Sequence, residues 1–310
     1  MWLVNDVQDK RELTLRVDAY IKDVLARCDA LKRAGMWLPE PTMRPRAWIE
    51  NFESADQILA AQLLERFVFY NQRLTDSLLA ASFASIADGL TKGPSAPDRD
   101  TLLRILPQAL FTPVCGENPN PTDSGNFFCR RARQVLGVAE NQIVTTSDAI
   151  LAASRGETVV FVDDFIGSGD QFLSTWRDIR SGASFEEIQR TSGFTAIYLS
   201  LVGTQLGITK LRQDTPSVAI CVSHQLDDRG SIWGLAQSNP VLFQEISQFL
   251  VKYVPRLTPR DPYMHQSDFL YVGYKRRGLF LAFEHSVPDA TLPIFWCGGT
   301  TNWEPLIERN

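Results

Sequence analysis

A strand that runs into two acids and a glycine loop constrains the fold of this chain more than any other stretch. Residues 158–162 form a continuous apolar and β-branched run, which is typical of a strand buried on both faces of a parallel sheet. Asp163 and Asp164 end the run, and the loop 167–169, Gly-Ser-Gly, follows. Residues 171–180 have the pattern of an amphipathic helix. This order predicts half of a ligand site at the carboxyl end of a parallel sheet.

The glycine loop and the helical turn after it suit a phosphate. Backbone N–H groups in such a turn point into one concavity, and the positive end of the helix dipole favours an anion there. The two carboxylates before the loop suit sugar hydroxyls or a Mg²⁺ ion that the ligand carries. No Lys follows the glycines, and no Rossmann glycine pattern is present, so these two nucleotide-binding motifs are disfavoured. An ordinary strand-loop-helix turn without a ligand is the alternative.

A second candidate anion site lies earlier in the chain. Asp123 or Ser124 can cap a helix whose first turn, near Gly125, offers free N–H groups, and Arg130 and Arg131 follow. This combination suits a pyrophosphate. A normally capped surface helix with solvated arginines is the alternative, since Arg130 lies two turns inside the helix.

Composition excludes several classes of protein. The formal net charge of −5 over 310 residues gives no global attraction to nucleic acid, so direct nucleic-acid binding is not expected. No apolar run approaches the ~20 residues of a membrane span, and the start of the chain lacks the pattern of a signal peptide. The five cysteines are scattered, without zinc spacing. No direct metal site is predicted, and a reducing cytoplasm is the expected location.

The alternation of apolar strands and amphipathic helices predicts an α/β fold with an open, mostly parallel sheet. We expect a helical N-terminal region over residues 1–95 and an α/β domain over 96–310. A C-terminal extension from about residue 255 is expected to contain a β-hairpin made of 269–274 and 279–283, with a basic turn between its strands.

The first predicted helix, over 8–34, has an apolar stripe at steps of three and four residues. The stripe either packs against the other N-terminal helices or forms a docking face for a partner protein. Its members are Leu13, Val17, Ile21, Val24, Cys28 and Leu31.

The segment 159–171, Val-Val-Phe-Val-Asp-Asp-Phe-Ile-Gly-Ser-Gly-Asp-Gln, resembles the phosphoribosyl-pyrophosphate (PRPP) motif of type I phosphoribosyltransferases. The resemblance implies a sheet of phosphoribosyltransferase type, with Mg²⁺ brought by the ligand. It implies that Asp163 and Asp164 are the catalytic residues and hold the ribose hydroxyls. The loop that would hold the 5′-phosphate comprises Gly167, Ser168, Gly169, Asp170 and Gln171.

Three positions depart from the motif. Gln171 replaces the last Thr, and Asp170 brings a negative charge beside the expected phosphate. Gly167 stands where purine enzymes carry a general-base Asp, so a standard purine-salvage reaction is not expected.

The ending His285-Ser-Val-Pro-Asp-Ala-Thr-Leu-Pro-Ile-Phe-Trp296 resembles that of phosphoribosyltransferase-like proteins from bacterial conflict and defence islands. Some of those proteins travel with retrons, which implies an antiviral effector that acts on a nucleotide and is restrained by a partner such as a reverse transcriptase complex. Three functions stay open at this point. They are a glycosyltransferase or hydrolase acting at the anomeric carbon, an inactive PRPP-binding or nucleotide-binding regulator, and a structural subunit.

Overall fold

The computed structural model describes residues 2–87, 100, 104–115, 123–227, 230–259, 264, 268–300 and 302–309. The chain divides into two compact units, Met1–Gln72 with Asp228–Asn310, and Arg73–Asp227. This division differs from the predicted boundary at residue 95. The N-terminal helices share a hydrophobic core with C-terminal residues, and such long-range packing leaves no local mark in the sequence.

The elements are numbered in chain order. The helices are α1 (Trp2–Arg33), α2 (Pro45–Glu50), α3 (Gln57–Arg66), α4 (Gln72–Ala87), α5 (Ser124–Leu136), α6 (Thr146–Ser154), α7 (Asp170–Arg177), α8 (Phe185–Thr191), α9 (Gln205–Asp214), α10 (Ile232–Ser238), α11 (Pro240–Tyr253) and α12 (Phe269–Val272). The strands are β1 (Val68–Tyr70), β2 (Leu110–Pro113), β3 (Val159–Ile166), β4 (Ala196–Thr204), β5 (Val218–Leu226) and β6 (Leu281–Phe283).

The unit Arg73–Asp227 is built on a parallel sheet with the order β2-β3-β4-β5. Phe161 of β3 pairs in register with Tyr198 of β4, and both are buried. Every residue of β4 is buried, as expected for a strand covered on both faces. The prediction of an α/β fold with a parallel sheet, and of β3 as an interior strand beside β4, is confirmed.

Aromatic side chains form much of the core under this sheet. Phe161 contacts Phe172 and Trp176 of α7, with ring centroids 5.3 and 6.0 Å apart. Phe172 stacks on Tyr198 at 4.3 Å with an interplanar angle of 10°. Helix α7 is therefore fixed against the sheet by its apolar face, and its N-terminus is held at the carboxyl end of β3.

The other unit has its own core, in which N-terminal and C-terminal residues pack together. Trp48 stacks on Phe295 at 5.3 Å, and its indole N–H donates to the Ile294 carbonyl oxygen at 2.8 Å. A two-stranded parallel sheet joins β1 to β6, with Phe69 opposite Ala282. Distant parts of the sequence are thus held together by both packing and backbone hydrogen bonds.

The predicted C-terminal β-hairpin is wrong. Residues Phe269–Val272 form a short helix, and β6 pairs in parallel with β1. Gly273 has φ +72°, a backbone conformation that favours glycine. A Cβ there would lie 2.8 Å from the Asp289 carbonyl oxygen, so the close packing also requires glycine. A short apolar run does not by itself distinguish a strand from a helix. The structure of this segment therefore depends on its contacts in the folded protein.

The middle of the apolar stripe of α1 is covered within its own unit. Ile21, Val24 and Cys28 are buried in the same cluster as Leu63 and Leu64 of α3. Leu31 is 36% exposed, and the side chain of Leu13 lies outside the described residues. Internal packing therefore accounts for the middle of the stripe. Among the described residues, no helix combines the length and hydropathy that crossing a membrane requires.

Candidate functional site

The glycine loop lies between β3 and α7 in a conformation that only glycine tolerates well. Gly169 has φ +82° and is the residue that caps α7. A Cβ at this position would lie 2.9 Å from Leu211 Cγ. The sequence Gly-Ser-Gly therefore sets a tight turn that brings the start of α7 close to α9.

The loop offers backbone donors. In the described part of the chain, the N–H groups of Gly167, Ser168, Gly169 and Gln171 have no hydrogen-bond acceptor. Unpaired N–H groups at the start of a helix are where proteins bind phosphates, because the helix dipole adds to the hydrogen bonds. The loop is consequently suited to an anion.

Asp170 does not carry an uncompensated charge. Its Oδ1 accepts from Lys210 Nζ at 2.6 Å, and its Oδ2 accepts from the Ser168 hydroxyl. The ion pair neutralises the charge that otherwise opposes phosphate binding. It also places a cation beside the loop, from a helix 40 residues further along the chain.

Asp163 is buried and held by donors. It is 1% exposed, and its Oδ1 accepts from the Ser124 hydroxyl at 3.2 Å and from the Asp164 N–H at 3.0 Å. The Tyr198 hydroxyl donates to Oδ2 at 3.1 Å. These donors hold the carboxyl group in one orientation.

Burial of the Asp163 carboxyl raises its pKa well above the ordinary value, and the negative charge of Asp164 raises it further. Burial likewise raises the pKa of the Tyr198 hydroxyl, and the charge of Asp163 adds to that effect. The pair is thus a weakly acidic, hydrogen-bonded unit inside the protein.

The two acids lie within β3 and not at its end. The strand continues past them to Ile166, and its register with β4 extends to Gly203, so the expectation that the acids end the strand is wrong. The side chains of Asp163 and Asp164 interact with one another, and this interaction adds to the effect of burial in raising the pKa of Asp163. Asp163 is the more buried of the two, at 1% exposed against 7% for Asp164.

The start of α9 also packs against the loop and holds it in place. The Thr204 hydroxyl donates to the Gly167 carbonyl oxygen at 2.5 Å and accepts from the Gly207 N–H at 3.0 Å. A Cβ on Gly207 would lie 2.4 Å from that same carbonyl oxygen. Close backbone approach thus fixes the shape of the loop before any ligand binds.

The second candidate anion site is only partly assembled. Asp123 precedes α5 as its cap residue, and Ser124, the first residue of the helix, reaches Asp163. Gly125 allows close packing, since a Cβ there would lie 2.5 Å from the Val114 carbonyl oxygen. The start of α5 and the end of β3 are therefore neighbours.

Arg130 and Arg131, the two arginines that were expected at the site, lie away from the first turn of α5. Arg131 forms an ion pair with Asp76 at 2.5 Å and also donates to Gln134, while Arg130 is exposed. A helix places residues six and seven positions from its start nearly two turns along its axis. The structure thus brings Ser124 to Asp163 and leaves Arg130 and Arg131 away from the first turn.

Sequence reasoning missed Tyr198, Thr204 and Lys210. A buried Tyr in an apolar strand signals a hydrogen-bond partner, so Tyr198 was recognisable in principle. Thr204 has a recognisable cap position before α9. Lys210 had no local signal, because its contact with Asp170 comes from the tertiary fold.

The acidic side chains are the residues that could bind a metal ion at this site. No group of three or more His, Cys, Asp or Glu side chains among the described residues is arranged to hold a metal. Asp163 already accepts three hydrogen bonds. Three protein donors therefore occupy Asp163, which leaves it little capacity to bind an ion directly.

A parallel α/β sheet, with two acids in β3 followed by a glycine loop, is consistent with a phosphoribosyltransferase-like fold. The PRTase-CE family model matches residues 45–309, and the chain belongs to that phosphoribosyltransferase-like family. Among solved structures it is similar to the AQ2163 protein from Aquifex aeolicus, at 15% identity and a TM-score of 0.31, over 63% of this chain and 89% of that one. No curated protein matches the sequence.

Proposed function

We propose that the chain binds a phosphorylated ribose, as PRPP or a nucleotide, and acts at its anomeric carbon by transfer or hydrolysis. The observation that carries this proposal is the loop Gly167–Gln171. The backbone N–H groups of Gly167, Ser168, Gly169 and Gln171 lack acceptors within the described chain, while the shape of the loop is fixed by Thr204 and by close packing with α9. A preorganised set of donors binds an anion without the entropic cost of ordering a loop.

The residues divide between two parts of the ligand. The loop N–H groups would bind the 5′-phosphate, with Lys210 turning from Asp170 towards it. Asp164 would bind the ribose hydroxyls. Asp163, already engaged by Ser124 and Tyr198, would position Asp164 and the first turn of α5 instead of contacting the sugar.

The reaction breaks the bond from the anomeric carbon to pyrophosphate or to a base. The electron pair leaves with that group, and an acceptor or water forms the new bond to carbon. The transition state resembles an oxocarbenium ion, which nearby carboxylates stabilise electrostatically. A ligand-borne Mg²⁺ would supply charge neutralisation at the leaving pyrophosphate.

A pyrophosphate would lie at the first turn of α5. The Ser124 hydroxyl donates to Asp163, which supports this placement. Arg131 is committed to Asp76, so the donors would be backbone N–H groups of α5 more than its arginines.

A binding-only regulator is the second candidate, and one observation favours it. The Ser168 hydroxyl, which the motif assigns to the phosphate, donates to Asp170. Gln171 also replaces the smaller residue of the motif. A site with these changes can keep a ligand and lose turnover.

We also propose, from the resemblance of the chain ending, a role in bacterial antiviral defence with a protein partner such as a reverse transcriptase complex. The middle of the α1 stripe is covered, so a partner would use the outer side of the helix, where Leu15 is 68% exposed. Co-purification of the wild type and of Leu15→Lys with a retron reverse transcriptase tests this. Equal recovery of partner with both proteins would remove α1 from the interface.

Turnover separates the candidates. We would incubate the full chain with PRPP or nucleotides and Mg²⁺, and analyse products by mass spectrometry. The enzyme proposal expects a released pyrophosphate or base that Asp163→Asn with Asp164→Asn abolishes, and the exposed Asp148→Asn serves as the control. Binding of PRPP without any product would support the regulator, and neither binding nor product would overturn both.

A further inference from the structure

Tyr198 of β4 is a buried tyrosine whose two ends contact two different parts of the candidate site. Its side chain is 1% exposed. The ring stacks on Phe172 of α7 at 4.3 Å with an interplanar angle of 10°, and the hydroxyl donates to Asp163 Oδ2 at 3.1 Å. Because a tyrosine ring is rigid, it holds these two contacts a fixed distance apart. One side chain therefore links α7 to the acid on β3.

The ring end of Tyr198 lies against the first turn of α7. Phe172 is the third residue of that helix and follows Gln171, whose N–H is one of the loop donors without an acceptor in the described chain. Phe172 also packs on Phe161 of β3, with ring centroids 5.3 Å apart. Packed aromatic rings have preferred geometries, so these contacts fix where the helix begins relative to the sheet.

The hydroxyl end of Tyr198 holds the carboxyl group of Asp163. The Ser124 hydroxyl and the Asp164 N–H both donate to Oδ1, at 3.2 and 3.0 Å, whereas Tyr198 donates to the other oxygen. With donors on both oxygens, the carboxyl group cannot rotate without breaking hydrogen bonds. Loss of the Tyr198 hydroxyl would release one side of it.

The hydroxyl also affects the charge of the acid. Burial raises the pKa of Asp163 and the charge of Asp164 raises it further, whereas the hydrogen bond from Tyr198 lowers it. Burial raises the pKa of the Tyr198 hydroxyl, so it stays a donor at neutral pH. Burial also raises the pKa of the Cys129 thiol on α5, and the charge of Asp163 adds to that effect. Tyr198 thus favours the ionised form of Asp163.

We propose that Tyr198 is a positioning residue that fixes the two acids relative to the phosphate loop, so that both parts of the site bind one phosphorylated ribose. This inference rests on the proposed function. Tyr198 is buried and acts through its two neighbours, Phe172 and Asp163, without touching the ligand. A tyrosine that only filled the core would contribute to stability and would not discriminate between ligands.

Titrations of the full chain with inorganic phosphate and with ribose 5-phosphate, followed by ³¹P NMR, test the inference. Inorganic phosphate needs the loop alone, whereas ribose 5-phosphate needs the loop and the acids. Tyr198→Phe keeps the ring stack and removes the hydroxyl. It should leave the affinity for inorganic phosphate unchanged and weaken ribose 5-phosphate about fivefold, the scale of one hydrogen bond.

Phe172→Met tests the other end of the link and keeps the decision open if Tyr198→Phe fails to fold. It removes the ring stack but keeps an apolar side chain, and should weaken both ligands, because the loop donors lie at the start of α7. Tyr20→Phe is the matched control. It removes a tyrosine-to-carboxylate hydrogen bond of 2.9 Å in the other unit and should change neither affinity.

Urea unfolding across the acid range adds a readout that packing alone does not move. In Tyr198→Phe the pH at which Asp163 loses its proton should rise, because the hydrogen bond that lowers its pKa is gone. The inference is overturned if that pH does not rise, if Tyr198→Phe weakens both ligands equally or neither, or if Phe172→Met binds both like the wild type. A wild type that does not bind ribose 5-phosphate would instead overturn the proposed function, and this inference with it.

Discussion

The structure gives Asp163 a different role from the one expected from the sequence. Two substitutions, Asp163→Asn and Asp163→Ala, separate the effect of its charge from that of its hydrogen bonds. Asp163→Asn keeps the shape and an acceptor oxygen for Ser124 and for the Asp164 N–H. Tyr198 can turn its hydroxyl to accept from the new amide. Asp163→Ala removes every acceptor at this position.

The difference between the two variants can be worked out from these contacts. Both lack the buried charge, so their difference reports the hydrogen bonds and a small loss of volume. Asp163→Ala removes the acceptor of the buried Tyr198 hydroxyl, and a buried donor left unpaired costs about 1–3 kcal/mol. Asp163→Ala should therefore be about 1–3 kcal/mol less stable than Asp163→Asn.

The pH dependence has a definite sign. Burial and the charge of Asp164 raise the folded-state pKa of Asp163 above its ordinary value of 3.8. The folded protein therefore holds this proton more tightly than the unfolded chain. Relative to Asp163→Asn, the stability contribution of the wild-type proton is fully present below about pH 4 and is lost as pH rises through the raised pKa.

Urea unfolding of the wild type and both variants across the acid and neutral pH range measures the free energies of unfolding and their pH dependence. We expect Asp163→Asn to equal or exceed the wild type at neutral pH, because the repulsion between the two acids is gone. Equal losses for both variants, or a stability difference between wild type and Asp163→Asn that does not change with pH, would refute the reasoning.

Two further substitutions test the loop. Gly169→Ala should cost about 1–3 kcal/mol from its left-handed backbone, and more from contact with Leu211 at 2.9 Å, whereas Gly182→Ala, at φ +88° with open space, should show the backbone cost alone in the same urea assay. If both cost the same, the contact with α9 is unimportant. Thr204→Val should cost about 1–2 kcal/mol and speed amide exchange at Gly207, because it removes a helix cap, and unchanged exchange would contradict that role.

Much of the sheet was predictable from the sequence, for a physical reason. A continuous apolar and β-branched run has no polar face, so β3 had to be covered on both sides. The same argument predicted β4 as a buried strand beside β3, and the glycines of the loop 167–169 predicted the turn after β3. Local pattern was sufficient wherever the burial of one segment decided its structure.

The C-terminal region and the division into units were not predictable in this way. The segment 269–272 is a short helix that ends at Gly273, and the partner of β6 is β1. The pairing of β1 with β6 joins residues more than 200 positions apart, as Phe69 and Ala282 show. Local propensity carries no information on such pairs.

The acids of the site illustrate both outcomes. Their place on a buried strand that leads into a glycine loop was predictable from the apolar run. The continuation of that strand past them to Ile166, and the Ser124 and Tyr198 donors that hold Asp163, depend on tertiary contacts and were not predictable. The pairing of Asp170 with Lys210 was not predictable, because it joins two helices that meet only in the folded unit.

Calorimetric titration with ribose 5-phosphate tests the central claim most directly, using wild type, Asp170→Asn and Lys210→Met. If the loop is a phosphate site restrained by Asp170, Asp170→Asn should free Lys210 and Ser168 and tighten binding about fivefold, a gain of ~1 kcal/mol. Lys210→Met should weaken binding, Gln171→Thr should tighten it, and Ser168→Ala should change it little. No binding by wild type, Asp170→Asn or Gln171→Thr, with each protein shown to be folded, would contradict the assignment of a phosphoribosyl site.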